Sequence, residues 1–140
     1  MTNGTPYLHT MTQPIHFNKD GLIPAIAVDA HTKDVLMMAW MNEQALDLTM
    51  QTGYVHYWSR SRKQIWRKGE TSQHTQHLER ITLDCDGDTL LLHVTQKGVA
   101  CHTGRPSCFY RLWNKTDKTW KNTCEPLIDP RGVYKRKDDR

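Results

Sequence analysis

Three cysteines and three aspartates lie close together in the chain, and their side chains are the ones best suited to chemistry. The run Asp84-Cys85-Asp86-Gly87-Asp88 comes first, and a second cluster extends from Cys101 to Cys108. Thiolates suit a borderline-soft ion such as zinc, whereas clustered carboxylates suit a hard ion such as magnesium. This part of the sequence therefore contains ligands for both kinds of metal and indicates a metal enzyme.

The acidic run predicts a site for a hard divalent cation. If the run is extended, side chains alternate, so Asp84, Asp86 and Asp88 share one face. Cys85 then points to the opposite face. Three neighbouring carboxylates raise each other's pKa values unless a cation neutralises them. The alternative is an acidic β-turn with Gly87 at its tip and no metal role.

The thiols predict a zinc site with an open coordination position. Cys101 and Cys108 are separated by six residues, so one loop could bring both to the same ion. Adding Cys85 gives three thiolates, and three protein ligands leave a fourth position for a water molecule. Two alternatives remain open: the cysteines could simply be buried, or a histidine such as His102 or His93 could complete a structural tetrahedron.

Two histidines are candidates for proton transfer, because imidazole titrates near neutral pH. His102 follows a candidate zinc ligand directly, and His74 lies in the polar segment between two predicted strands. The fourth cysteine, Cys124, has no partner at a metal-binding spacing. We expect it to be a free thiol.

Length and composition indicate one cytoplasmic domain. A chain of 140 residues is large enough to bury a core without disulfides. We find neither a signal-peptide pattern nor an apolar run long enough to cross a membrane. In a reducing compartment the cysteines are more readily metal ligands than disulfides. The formal charge of +4 is spread along the chain and favours an anionic ligand only weakly.

The hydrophobic pattern predicts an α+β fold that is rich in β-structure, with short antiparallel strands and one main helix. Residues 22–28 and 35–41 should form a hairpin, and Asn42 should cap a helix from Glu43 to Thr52 that ends at Gly53. Further strands are predicted at 54–59, 64–67, 78–83, 89–96 and 108–113. Residues 1–19 and 114–140 are expected to be extensions, the second of them loosely held.

Several linked motifs resemble the phosphoribosyl-AMP cyclohydrolase family of histidine biosynthesis. They are Tyr57-Trp58-Ser59-Arg60-Ser61-Arg62, Trp66-Arg67-Lys68-Gly69-Glu70-Thr71-Ser72, the acidic run and the segment from Cys101 to Cys108. The resemblance covers about residues 20–113, which we take as the cyclohydrolase domain. It implies an intertwined homodimer that hydrolyses the N1–C6 bond of the adenine ring of phosphoribosyl-AMP.

The resemblance also implies roles for individual residues. Magnesium would be bound by Asp84, Asp86 and Asp88. Zinc would be shared between subunits, with Cys85 from one chain and Cys101 and Cys108 from the other. Zinc-activated water would attack C6, and His102 or His74 would deliver a proton to N1. The substrate phosphates would contact Arg60, Arg62, Lys68 and Arg105, since these cations match phosphate oxygens.

One residue departs from the family pattern. Gln73 stands where the family usually has glycine, between Ser72 and His74. If that glycine serves a backbone with positive φ, Gln73 must strain the loop or change its path. Some family members continue into a pyrophosphohydrolase domain, and we expect that second activity to be absent here.

The rival hypothesis is a non-catalytic zinc module that binds nucleic acid. The basic charge supports it, and four aromatic residues could stack on bases, namely Tyr54, Tyr57, Trp58 and Trp66. The same residues could instead pack a core. With the family motifs present, we expect a small-molecule substrate and a homodimer, with neither nucleic acid nor a membrane as partner.

Overall fold

The computed structural model describes residues 14–132, so most of the predicted extension 1–19 and the end of the chain lie outside the described residues. The described chain is rich in β-structure and has one α-helix, as predicted. Its elements are β1 (Ile23–Asp29), β2 (Val35–Met41), α1 (Glu43–Thr52), β3 (His56–Ser59), β4 (Gln64–Arg67), β5 (Gln76–Leu83), β6 (Leu90–Gln96), β7 (Arg111–Asn114), β8 (Thr119–Asn122) and a 3-10 turn (Pro130–Gly132).

The helix begins and ends at the residues the sequence indicated. The Asn42 side chain accepts a hydrogen bond from the backbone N–H of Ala45 at 2.8 Å, which satisfies one of the free donors of the first turn. Gly53 ends the helix in the left-handed conformation, with φ of 80°, and its N–H donates to the Thr49 carbonyl. Ala45, Leu46 and Thr49 form the buried face.

The six-stranded sheet has the order β4-β3-β2-β1-β6-β5. The predicted hairpin of β1 and β2 is antiparallel, and so are the other pairs except one. β1 and β6 run parallel, with Ala25 opposite Leu90 and Asp29 opposite Val94. The expectation of antiparallel strands throughout is wrong at this pair. The long connection through α1 and β3–β5 supplies the crossover that a parallel pair requires.

The core lies between the helix and the inner face of the sheet. Ile23, Ala25 and Ala27 alternate along β1 and are fully buried, as are Met37 and Met41 of β2. Two aromatic residues from β3 and β4 extend this core towards the edge of the sheet. Their rings, Tyr57 and Trp66, lie 5.2 Å apart between centroids. No helix within residues 14–132 has both the length and the apolar character needed to span a membrane.

The segment after residue 113 is more ordered than the sequence suggested. β7 and β8 form a separate antiparallel hairpin in which Trp113 lies opposite Trp120. The Asn114 side chain accepts hydrogen bonds from the backbone amides of Thr116 and Asp117. These bonds let the chain reverse its direction without a glycine. The expectation of a loosely held extension is therefore wrong for this part, and β8 was not predicted. Residues 133–140 lie outside the described residues.

Candidate active site

The three aspartates converge because residues 84–88 form a turn between β5 and β6. The Asp84 carboxylate accepts hydrogen bonds from the backbone amides of Asp88 and Thr89, at 2.9 and 3.2 Å. Gly87 has a φ of 73°, and a side chain there would collide with the Pro14 carbonyl. The expected extended run is wrong, and the alternative geometry, an acidic turn with Gly87 near its tip, is what forms.

The turn still brings one ligand oxygen from each aspartate to within 4.8 Å of the others, on an exposed surface. The pKa of Asp88 is raised, first by its hydrogen bond with Asp84 and then by slight burial and by the neighbouring carboxylates. Slight burial tends to raise the pKa of Asp84, but hydrogen bonds from Asp88, Thr89 and Gly87 outweigh it and lower that pKa. Such a concentration of carboxylate oxygens matches the ligand preference of a hard divalent cation.

Two of the three predicted zinc ligands meet in the loop that follows β6. A hydrogen bond with the Cys108 thiol is the main cause that lowers the pKa of Cys101, to about 5, although burial opposes it. Thr103 contributes as well, since its hydroxyl donates to the Cys101 sulfur at 3.1 Å. The site therefore favours a thiolate at Cys101, which is the form that binds a metal.

Backbone hydrogen bonds hold this thiol loop, residues 99–108, in shape and attach it to the sheet. Within the loop, the N–H of Cys101 donates to the Arg105 carbonyl at 3.1 Å. At its end, the N–H of Cys108 donates to the Leu36 carbonyl at 2.7 Å, and the Ser107 hydroxyl donates to the Val35 carbonyl. Cys108 is therefore fixed beside the start of β2.

Cys85 lies apart from the other two thiols within one chain. It is exposed in the acidic turn, whereas Cys101 is buried and Cys108 is partly buried. Among the described residues, the three thiols do not form a group that could hold one ion, and the acidic turn is the group that does. Cys124 is an exposed free thiol, as the sequence predicted.

His74 lies against the start of the thiol loop. Its Nδ1 accepts a hydrogen bond from the backbone N–H of Val99 at 2.8 Å, so in the neutral ring Nε2 bears the proton. Gly98 makes this contact possible, because a side chain there would collide with the imidazole. The spacing of the sequence gave no sign of this dependence on Gly98. His102, the other candidate, is exposed next to Cys101.

Gln73 adopts the left-handed backbone conformation, with φ of 67°. Its N–H donates to the Gly69 carbonyl at 2.7 Å, which closes the turn that presents His74. The loop therefore keeps a backbone that suits glycine and accepts the strain of a side chain at this position.

The four cations predicted to contact phosphates occupy different environments. Arg60 is exposed, and its guanidinium lies 4.9 Å from the centroid of the Trp40 ring. The backbone N–H of Arg62 donates to the Ser59 hydroxyl at 3.1 Å, in the turn between β3 and β4. These two residues lie together at one edge of the sheet.

Lys68 is instead buried against the thiol loop, and Arg105 is buried within it. Lys68 is 1% exposed, and its ammonium donates to the Ala100 carbonyl at 2.6 Å. The Arg105 guanidinium stacks on the Tyr110 ring at 4.1 Å, and its Nε donates to the Cys124 carbonyl at 2.8 Å. In this structure both cations stabilise the loop, and phosphate contact stays a prediction for them.

The C-terminal segment covers the thiol loop, which sequence reasoning missed. The N–H of Leu127 donates to the Gly104 carbonyl at 2.8 Å. Gly104 has a φ of 86°, and a side chain there would collide with the Ile128 carbonyl. Residues 124–128 therefore pack directly on the loop that holds Cys101.

Comparisons with known proteins match this chain to one family. The family model described as phosphoribosyl-AMP cyclohydrolase matches residues 37–110, more than half of the chain. A protein of that name from Pseudomonas syringae pv. syringae (strain B728a) is 54% identical over 121 residues, covering 86% of this chain and 92% of its own length. One from Halorhodospira halophila is 55% identical over 118 residues, covering 84% and 82%.

A third relative with the same name, from Neisseria gonorrhoeae (strain NCCP11945), is 49% identical over 125 residues and covers 89% of this chain and 94% of its own length. Identity at this level over most of both chains indicates a shared fold and family. The chain belongs to the phosphoribosyl-AMP cyclohydrolase family.

Proposed function

We propose that this chain is a phosphoribosyl-AMP cyclohydrolase, a cytoplasmic enzyme of histidine biosynthesis that opens the adenine ring of phosphoribosyl-AMP by hydrolysing the N1–C6 bond. One observation supports this most strongly. The stretch that matches the family, residues 37–110, contains every metal, catalytic and phosphate-binding candidate identified from the sequence. The domain proposed at 20–113 encloses that stretch.

The thiols fit a zinc site that two chains share. Cys101 and Cys108 are within hydrogen-bonding reach of each other, and the low pKa of Cys101 makes it a ready metal ligand. Cys85 is exposed and free to reach a second copy of the chain. Zinc held by these three thiolates would supply a water molecule acidic enough to act as a nucleophile at neutral pH.

Exposed apolar residues of the last hairpin support a homodimer. Phe109, Leu112 and Trp120 are 64%, 62% and 65% exposed in the single chain, and such a surface is typical of an interface. Phe109 and Leu112 closely follow Cys108, one of the two thiols whose third zinc-binding thiol, Cys85, would come from the partner chain. Dimerisation would therefore both bury this surface and complete the zinc site.

The acidic turn fits magnesium, with Asp84, Asp86 and Asp88 as its ligands. The ion would supply positive charge close to Cys85 and to the substrate phosphates, and water would complete its shell.

The ring opening needs a proton at N1 when the N1–C6 bond breaks. C6 is an electrophilic amidine carbon, and the ribosyl group on N1 places positive character on the ring. We assign the proton transfer to His74 or His102. His74 is the better oriented of the two, because the bond from Val99 fixes its ring and leaves the Nε2 proton for donation. Arg60 and Arg62 would contact the phosphates at the sheet edge.

The nucleic-acid alternative has little support in the structure. Tyr57 and Trp66, two of the four aromatic residues considered for base stacking, are 0% and 2% exposed. A nucleic-acid strand could not stack on these rings without opening the sheet. We therefore do not propose nucleic acid as a partner.

The proposal is tested by incubating the purified protein with phosphoribosyl-AMP, zinc and magnesium and following ring opening by ultraviolet absorbance. We expect turnover by the natural chain and loss of both turnover and bound zinc in Cys101→Ser, because the remaining thiols cannot form the site. Cys124→Ser is the matched control, since that thiol is exposed and outside the site, and it should retain full activity. Full activity of Cys101→Ser in a zinc-free preparation would refute the assignment.

A further inference from the structure

A pocket of about 300 Å³ opens where β2, β3 and β4 meet. Its walls are three indole rings, one guanidinium and short stretches of β2, from the residues Met38, Ala39, Trp40, Trp58, Arg60 and Trp66. Trp40 and Trp58 lie opposite each other in the register of β2 and β3. Flat aromatic walls with a cation at the rim are suited to a flat heterocycle attached to an anionic group.

Trp66 supplies a second and independent indication of a ligand. The residue is 2% exposed, and its indole N–H has no hydrogen-bond acceptor among the described residues. Buried donors in folded proteins are nearly always paired, so such a group calls for an acceptor from outside the chain. Trp66 lines the pocket, so a bound molecule can provide that acceptor once the neighbouring side chains admit it to the buried N–H.

Two contacts place the pocket beside the thiol loop. Cys108 is hydrogen-bonded to the Leu36 carbonyl, and Met38 of the pocket lies two residues further along the same strand. On the other side, the Lys68 ammonium lies 5.9 Å from the centroid of the Trp66 ring. The same ammonium donates to the carbonyl of Ala100, the neighbour of Cys101. The pocket and the thiol loop are therefore attached to the same strand, β2, and are linked through Lys68.

We propose that this pocket binds the purine ring of the nucleotide substrate, an inference that rests on the proposed function and names the base subsite of that reaction. Trp40 and Trp58 supply stacking surfaces, and Trp66 donates its indole N–H to a ring nitrogen. N3 and N7 are the acceptors that stay free when N1 and N9 both bear ribosyl groups. The volume is ample for a purine base, and Arg60 in the lining is the cation past which the ribosyl phosphates extend outward.

Binding of AMP, measured by calorimetry, tests the subsite without any need for turnover. Trp58→Leu removes a stacking face and should weaken AMP binding by about 5- to 100-fold, the range for one base on one aromatic ring. Trp66→Phe keeps a ring but removes the N–H and should weaken it at least several-fold. Ribose 5-phosphate has no base, so its affinity should stay the same in both variants.

Tyr54→Leu is the matched control, because this aromatic residue is 40% exposed and lies outside the pocket. It should bind AMP like the natural chain. Thermal unfolding shows whether each variant is folded. The inference is wrong if folded Trp58→Leu and Trp66→Phe bind AMP as the natural chain does, or if ribose 5-phosphate binding falls in parallel.

A failure of the proposed function would give a different set of results from a failure of the base subsite. A natural chain that binds AMP with this dependence on Trp58 and Trp66, yet does not open phosphoribosyl-AMP, would leave the base subsite in place and refute the reaction. A natural chain that opens the substrate while the two variants bind AMP normally would refute the subsite alone.

Discussion

At the scale of single residues, the backbone at Gln73 shows how a sequence departure is accommodated. The sequence predicted that a side chain here would either strain the loop or redirect it. The backbone adopts the left-handed conformation, with φ of 67°, and the bond from the Gln73 N–H to the Gly69 carbonyl closes the turn. The strain is therefore local and lies directly before the catalytic candidate His74.

Replacing Gln73 with glycine should stabilise the protein. Removing the side chain relieves a left-handed conformation that costs about 1–2 kcal/mol, while the added freedom of the unfolded chain costs about 0.5–1 kcal/mol. We expect a net gain of about 0.5–1 kcal/mol in the free energy of unfolding, measured in urea. Gln73→Ala keeps the Cβ atom and should show no such gain. Destabilisation by Gln73→Gly would contradict the strain.

His93 should make the fold sensitive to acid. Burial lowers its pKa below the ordinary 6.5, and the positive charges of Arg80 and Lys33 lower it further. A histidine with a depressed folded pKa stabilises the fold fully above its unfolded pKa and loses that contribution as the pH falls towards the folded pKa. The free energy of unfolding should therefore decrease below about pH 6.5.

His93→Gln, which cannot be protonated, should flatten this dependence. Glutamine can still pair with the Thr82 hydroxyl, the partner of His93 at 3.3 Å. Urea unfolding at pH 8 and at pH 5.5 should show a smaller difference for the variant than for the natural chain. Equal differences would mean that another group is responsible.

At the scale of secondary-structure elements, the sequence predicted the helix from local signals more accurately than it predicted how the strands pair. The helix was predicted from its capping residues, Asn42 and Gly53, because capping depends on neighbouring amides alone. The parallel pair of β1 and β6 could not be predicted in the same way, because the alternation of side chains does not reveal the direction of a neighbouring strand. The β8 strand was missed because Asn114 turns the chain where no glycine marks it.

For the candidate site too, the sequence predicted the residue types better than their three-dimensional arrangement. Residue types and spacing predicted the metal chemistry, and the aspartates do converge. Their geometry was predicted wrongly, because the turn depends on amide bonds to the Asp84 carboxylate that alternation does not anticipate. Lys68 is buried against the thiol loop, and Arg105 lies within that loop and bonds to the Cys124 carbonyl, so charge alone could not predict their burial.

Gly98 should control activity through His74. Gly98→Ala places a methyl group on the imidazole, so we expect turnover to fall at least about tenfold, since misplacing a catalytic group is costly. Gly21→Ala is a matched control with a similar φ, 76° against 71°, and no atom within 4 Å of the added methyl. Both variants place a side chain at a positive φ, but only Gly98→Ala presses on the imidazole, so Gly21→Ala should keep its turnover. Equal turnover in the two variants would exclude His74 from the reaction.

At the scale of the whole molecule, the single chain does not bring its three candidate zinc-binding thiols together. The buried thiol pair and the exposed Cys85 do not meet among the described residues. The apolar face of the last hairpin follows the thiol loop directly and is open to solvent. Both features are explained if two chains combine, so that each supplies what the other lacks.

Mixing inactive Cys85→Ser with inactive Cys108→Ser tests this sharing most directly. If each zinc site takes Cys85 from one chain and its other thiols from the partner, every mixed dimer contains one intact site. Random exchange makes half of the dimers mixed with one of two sites intact, so we expect about one quarter of the natural activity and of the bound zinc. Cys85→Ser exchanged with itself is the control and should stay inactive. Absence of recovery despite proven subunit exchange would contradict a zinc site built from two chains.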